Sequence, residues 1–199
     1  MASLDKLVKS LESLNFLQTK SNQDETSVRR KEKISLCSTV TEMICSPNMK
    51  AAPNYSDVLT FAIESLLRMC NDNDSNVQMT ADECLNKVIK AVVDRNIQKV
   101  LYELFKEMKK NEKARSLRAA LWRFADLSHF ITAQKGRLYI TSLIPILGHI
   151  SDRSEDTIVE TLATSIPKIA ANLAYFATDS EIKILTQKFL KKLSSPHAV

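Results

Sequence analysis

Thiol and imidazole side chains are the groups in this chain that could bind a metal or attack a substrate, but their spacing suits neither task. The cysteines are Cys37, Cys45, Cys70 and Cys84, and the histidines are His129, His149 and His197. No two cysteines form a C-x-x-C pair, and the histidines share no metal-ligand spacing. The sequence also lacks a phosphate-binding G-x-x-x-x-G-K-S/T loop, a G-x-S-x-G elbow and an H-E-x-x-H helix. We therefore predict no catalytic residues, no metal and no cofactor, with the thiols reduced.

A cluster of basic residues between positions 106 and 118, called the basic face below, could contact an anionic partner. Its members are Lys106, Lys109, Lys110, Lys113, Arg115 and Arg118. Lys106 and Lys110 each follow a glutamate by three residues, a spacing at which opposite charges can pair on a helix. No aromatic residues alternate with the bases to stack on nucleotides. The net charge of +5 permits nucleic acid, an anionic membrane or an acidic protein as the partner and selects none of them.

The first seventeen residues have the pattern of an amphipathic helix that could dock reversibly on a membrane. Leucines at helical spacing form one stripe, and lysines flank it. The predicted membrane- or partner-binding residues are Leu4, Lys6, Leu7, Val8, Lys9, Leu11, Leu14 and Leu17. Such a helix lies in the interfacial zone, with its leucines in the acyl region and its lysines near anionic headgroups. The alternative is that the stripe packs on the rest of the protein, and the sequence leaves both interpretations open.

Ser13 is a candidate phosphorylation site near the end of that helix. A phosphate there would add about two negative charges close to the negative end of the helix dipole. We expect this change to weaken the helix and to repel anionic lipid. The alternative is that Ser13 is an ordinary solvated residue.

Helices must position these groups, because the chain has only two glycines and five prolines and its apolar residues follow a helical period. Four segments carry apolar residues, with one threonine excepted, at positions i, i+3, i+4 and i+7; they are 59–66, 97–104, 140–147 and 182–189. The starts of successive segments are 38, 43 and 42 residues apart. A second helical series follows the first three segments after 18 or 19 residues; it comprises 77–88, 116–127 and 158–169. Two interleaved helix series at one pitch predict an all-α solenoid of HEAT-type helical hairpins.

The same periodicity divides the chain into four parts. Residues 1–17 form the amphipathic helix, residues 18–26 a polar linker, and residues 27–56 an atypical capping helix and loop. The regular array occupies residues 57–199; its hairpins are 57–93, 95–131 and 136–174, followed by a partial repeat at 179–199. Because the last helix lacks a mate, we expect the chain to be the amino-terminal piece of a longer solenoid, or a truncated product of one.

Several runs of sequence are similar to the amino-terminal region of the huntingtin family of HEAT-repeat proteins. They are MASLDKLVKSLESL (1–14), ADECLNKVIKA (81–91), RSLRAALWRFA (115–125), Pro167-Lys168-Ile169, and Phe176-Ala177 followed by Glu181-Ile182-Lys183. The resemblance covers nearly the whole chain. The run at 115–125 makes it specific, because one tryptophan and three arginines stand in register.

The chain departs from the family pattern behind its first helix. Vertebrate members carry a polyglutamine tract and a proline-rich segment there, whereas this chain has QTKSNQDETS at 18–27. Polyglutamine aggregation therefore does not carry over. Of the phosphorylatable serines that the family pattern has in this helix, only Ser13 is matched.

The resemblance implies a non-enzymatic scaffold or adaptor that supports microtubule-based vesicle transport and autophagy. It implies other proteins as partners, among them transport and autophagy factors, and reversible membrane contact through residues 1–17. It also implies a cytoplasmic protein that associates in part with vesicles and endoplasmic reticulum and shuttles to the nucleus. The alternative is a karyopherin-like or nucleic-acid-associated adaptor that binds through the basic face, although interleaved acidic residues make direct nucleic-acid binding the weaker interpretation.

Overall fold

Helices make up almost all of the backbone that the computed structural model describes, which comprises residues 2–19 and 27–193. Side chains are described for residues 5–17 and 27–191. Most of the predicted linker, His197 and the side chain of Leu4 therefore lie outside the described residues. Within those residues there is no strand, and the prediction of an all-α, HEAT-type fold is confirmed.

The chain divides into two compact units, residues 1–103 and 104–199. The helices of the first are α1 (Ala2–Thr19), α2 (Ser27–Cys45), the single turn α3 (Pro47–Lys50), α4 (Tyr55–Met69) and most of α5 (Ser75–Lys110). The second unit contains the end of α5, and its further helices are α6 (Ala114–Leu127), α7 (Ala133–Ser151), α8 (Asp156–Leu173) and α9 (Asp179–Leu193). Short 3₁₀ turns follow α6 and α8, at Ser128–Phe130 and Ala174–Phe176.

The Ser75–Lys110 range of α5 consists of two helices that meet at a kink, close to the predicted break between a helix ending at residue 93 and another beginning at residue 95. The backbone stays helical from Ser75 to Lys110 apart from a kink at Asn96, where φ is −124° and ψ is 20°. No proline or glycine lies within α5 to stop the helix. The non-helical dihedrals of Asn96 therefore mark the junction of the two helices within α5, with no loop between them. The boundary between the two units falls inside α5, and so inside the predicted 95–131 hairpin.

The core of the first unit includes apolar stripes of α1, α2 and α4, and α1 packs against both of the others. The stripe on α2 contains one charged member; it comprises Lys33, Cys37, Val40 and Ile44. Lys33 Nζ lies 2.8 Å from Asp72 Oδ2, and both side chains are almost completely buried. Asp72 Oδ1 also accepts the backbone N–H of Asp74 at 3.0 Å. The buried carboxylate thus joins α2 to the turn in front of α5.

An aromatic cluster of Phe105, Phe124 and Tyr139 packs in the second unit. The ring centroids lie 5.8 to 6.1 Å apart, and Phe105 and Tyr139 meet edge to face. Phe124 is completely buried on the apolar stripe of α6. Around this cluster α6 packs against α8, and α7 packs against α8 and α9. Aromatic pairs in such arrangements add to the stability that area burial alone provides.

Polar side chains join each repeat of the second unit to the next, at sequence separations close to the predicted pitch. Arg153 Nη1 donates to the carbonyl oxygen of Asn111 at 2.9 Å, across 42 residues. Arg137 donates to both carboxylate oxygens of Glu181 at 2.6 and 3.1 Å, across 44 residues. These separations of 42 and 44 residues lie close to the last two apolar offsets, which are 43 and 42 residues.

The Arg137–Glu181 pair predicts a carboxyl group with a low pKa. Hydrogen bonds from Arg137, and then from the backbone and hydroxyl of Thr178, lower the pKa of Glu181 from 4.5 to about 2. Because the folded pKa is depressed, the contribution of the pair to stability is present above pH 4.5 and is lost as the pH falls through about 2. We expect Arg137→Met to return the Glu181 pKa towards 4.5 in a carboxyl ¹³C NMR titration of the folded protein. Lys183→Met, which removes the same charge from α9, should leave the pKa low; equal effects of the two variants would refute the specific pairing.

Candidate functional site

The apolar stripe of α1, predicted to face a membrane or a partner, packs inside the first unit. Leu7, Leu11 and Leu14 are completely buried where α1 contacts α2 and α4. Val8 and Leu17 are half-buried. In this conformation the buried leucines cannot reach a bilayer. The structure thus adopts the alternative that the sequence left open, in which the stripe packs on the protein itself.

The opposite face of α1 is polar and exposed. Lys6 and Lys9 lie on it, where they can meet anionic headgroups while the leucines stay buried. Ser13 is exposed as well, so a modifying enzyme could reach it, and its phosphorylation stays a prediction. Within residues 2–19 and 27–193, every helix is either too short or too polar to span a bilayer.

A polar contact that the sequence did not reveal fastens the end of α1 to α4. Arg68 Nη1 donates to Asn15 Oδ1 at 3.0 Å, and Arg68 Nη2 lies 3.5 Å from Glu64 Oε1 one turn earlier on α4. We call Asn15 and Arg68 the latch, and the faces of α2 and α4 under α1 the seat. Because 53 residues separate the latch partners, no local spacing indicates the contact.

The buried Lys33–Asp72 pair was also missed, although the sequence carries one signal for it. In the sequence, Lys33 belongs to the basic start of the second helix, together with Arg29, Arg30 and Lys31. Its position one turn before Cys37, and in line with Val40 and Ile44, places it on the buried face. A lysine on an apolar stripe predicts a buried partner of opposite charge, since an isolated buried ammonium is strongly disfavoured.

The four cysteines are free thiols, and Cys37, Cys70 and Cys84 are buried. Burial, followed by the proximity of Cys84 and Cys70, raises the pKa of Cys37 to about 12. The reactive thiolate is therefore scarce at neutral pH. Cys84 is a small core residue that is 3% exposed. In the described part of the chain, no cluster of cysteine, histidine and carboxylate side chains could hold a metal.

The basic face lies around the turn from α5 to α6. Its exposed members are Lys109, Lys110, Lys113, Arg115 and Arg118, and Lys106 is half-buried. The predicted pairing three residues apart occurs at Lys110, whose Nζ lies 2.9 Å from Glu107 Oε2. Arg123 does not extend this face, because it is buried and donates to the carbonyl of Ala119. The exposed cations therefore form a short patch that is partly neutralised by its own helix.

Comparison with known proteins gives one consistent result. The family model "Huntingtin, N-terminal HEAT 1" matches residues 66–199. The huntingtin of Takifugu rubripes is 43% identical over 206 residues, which cover 98% of this chain and 6% of that protein. The HD protein homolog of Dictyostelium discoideum is 38% identical over 96 residues, or 48% of this chain and 3% of that protein. The chain thus spans a small part of the length of these relatives. By its helical hairpins, its repeat pitch and these matches, the chain belongs to the huntingtin family, in the region of the amino-terminal HEAT repeats.

Proposed function

We propose that this chain is the amino-terminal part of a non-enzymatic scaffold that gathers partner proteins and is tethered reversibly to membranes by α1. The observation that carries the proposal is membership of the huntingtin family, seen both in the family match and in the repeat fold. By extension from the family, the processes are microtubule-based vesicle transport and autophagy. The corresponding sites are the cytoplasm, the surfaces of vesicles and endoplasmic reticulum, and, by shuttling, the nucleus.

Helix α8 exposes a face whose counterpart in the preceding repeat is buried. Because α6 and α8 begin 42 residues apart, Val159 of α8 corresponds to Leu117 of α6, and Ala163 to Leu121. Leu117 is 1% exposed in α6, which packs against α8, whereas Val159 is 40% exposed. A further helix with the pattern of α8 would bury this face. The greater length of the relatives supports the proposal that a longer solenoid supplies that helix.

The turn from α8 to α9 offers a rigid aromatic surface to a partner protein. Tyr175 is 93% exposed and meets the ring of Phe176 edge to face, with centroids 5.7 Å apart. The Phe176 ring lies over Gly136, where an added Cβ would come within 2.3 Å of it. Arg137 donates to the carbonyl of Phe176 at 2.9 Å. An exposed tyrosine on a fixed support is the kind of anchor that protein interfaces use.

The membrane tether is tested by removing the exposed lysines of α1. We expect Lys6→Ala/Lys9→Ala to weaken co-sedimentation with vesicles containing phosphatidylserine by roughly thirtyfold, since each lysine near an anionic surface contributes about 1 kcal/mol. Neither side chain belongs to the core, so the fold should be unaffected. The matched control is Lys109→Ala/Lys113→Ala, which removes the same charge from the basic face and should retain wild-type binding.

The alternative function through the basic face makes the opposite prediction. If the basic face binds nucleic acid or another anionic partner, that binding would be lost in the Lys109→Ala/Lys113→Ala variant. It would also collapse as the salt concentration rises. Absence of sedimentation with vesicles at low and at physiological salt, both in the wild type and in variants that weaken the packing of α1 on α2 and α4, would refute the tether.

A further inference from the structure

The leucines that would enter a bilayer are the same leucines that the first unit buries. Leu7, Leu11 and Leu14 have no exposed surface while α1 lies on its seat. We propose that seating of α1 on α2 and α4 and insertion of α1 into a membrane exclude each other, so that the first unit holds its own membrane helix in a closed state. This inference rests on the membrane tether proposed above.

The competition is between two apolar environments for one stripe. A helix has a single face on which these leucines can align, because residues 7, 11 and 14 are separated by one turn each. The seat removes that face from water, and so would the acyl region of a bilayer. Since the gain from leaving water is similar in both places, contacts other than the leucines decide which state is populated.

The latch is such a contact, and it belongs to the closed state alone. The hydrogen bond from Arg68 to Asn15 spans α4 and α1 at 3.0 Å, so it breaks when α1 leaves the seat. Arg68 is further oriented by Glu64, 3.5 Å away on the same helix. Removing the latch should therefore lower the cost of release without altering the leucines that insert.

The exposed lysines give the closed state a way to approach a membrane before α1 is released. Lys6 and Lys9 are exposed while the stripe is buried, so the seated helix can be attracted by anionic lipid. Insertion then requires the leucines to exchange the seat for the acyl region. The amount bound at a fixed lipid concentration thus depends on how firmly the latch holds α1.

The test compares latch variants of the full chain on vesicles of phosphatidylcholine with about one fifth phosphatidylserine. We expect Arg68→Ala and Asn15→Ala each to raise vesicle binding about fivefold, the effect of one ordinary hydrogen bond, and to speed amide exchange in residues 5–17 by a similar factor. Arg68→Ala removes a positive charge, so electrostatics alone would lower its binding. The control Arg118→Ala removes the same charge from the exposed basic face and should change neither readout.

The two readouts separate this inference from the tether on which it rests. Faster exchange in residues 5–17 with unchanged vesicle binding, in a chain that does bind vesicles, would overturn the competition alone. Unchanged exchange in both latch variants would also overturn it, because α1 would then not be held by the latch. Absence of vesicle binding in the wild type and in every variant would refute the tether, and the competition with it.

Discussion

Asp72→Ala is expected to destabilise the first unit by about 3–5 kcal/mol, because it removes the carboxylate partner of a buried lysine. Lys33 Nζ and Asp72 Oδ2 are 2.8 Å apart, and their side chains are 1% and 0% exposed. The remaining ammonium would stay in an apolar stripe of α2, where desolvation is costly. Loss of the Asp72 hydrogen bond to the Asp74 amide adds to the effect. Urea unfolding of the full chain, followed by amide exchange in α2 and α4, measures the change.

Two further variants show whether burial causes that loss. Arg30 pairs with Asp74 at 3.5 Å on the surface of the same region, so Arg30→Ala should cost less than about 1 kcal/mol. Replacing both buried partners, as in Lys33→Met/Asp72→Leu, should recover much of the stability because no charge is left buried. If Asp72→Ala costs no more than Arg30→Ala, the buried pair does not stabilise the unit.

Phe124→Ala is expected to cost the second unit about 3–5 kcal/mol, the range for a large aromatic side chain deleted from a core. Phe124 has no exposed surface and contacts both other rings of the aromatic cluster. Its removal would leave a cavity between α6 and its neighbours and would end the ring contacts with Phe105 and Tyr139. Urea unfolding monitored through Trp122, its near neighbour in α6, reports the loss of stability.

The matched control for this variant is Phe130→Ala, at the 3₁₀ turn that follows α6. Phe130 is 38% exposed, so its truncation removes less apolar contact and should cost clearly less than Phe124→Ala. Equal costs for the two variants would mean that the cluster is not a core of the second unit. A larger loss at Phe130 would place the main packing of α6 at its carboxyl end.

A closed state of α1 would connect the two parts of the proposed function. Tyr175, the proposed partner anchor at the turn from α8 to α9, is 93% exposed in the structure. Insertion of the α1 leucines into a membrane, in contrast, would require α1 to leave α2 and α4. Binding of partner proteins and binding of membranes could thus be controlled separately in one chain.

The sequence by itself determined the fold class and the pitch of the second unit. Apolar residues at helical spacing specify which face of a segment avoids water. The near absence of glycine favours helix, because glycine within a helix is destabilising. The offset of 42 residues between Ile140 and Ile182 therefore anticipated the contacts of Arg153 with Asn111 and of Arg137 with Glu181.

The tertiary structure alone decided which apolar neighbour each stripe receives. A stripe such as Leu7, Leu11 and Leu14 is satisfied equally by lipid, by a partner or by α2 and α4, because the hydrophobic effect has no direction. The latch and the Lys33–Asp72 pair join residues 53 and 39 positions apart, and such contacts depend on distances that exist only after folding. The junction at Asn96 lies close to the predicted break, but the absence of a loop between the two helices was not predicted: a short polar stretch permits both a turn and a kink, and packing on either side selects between them.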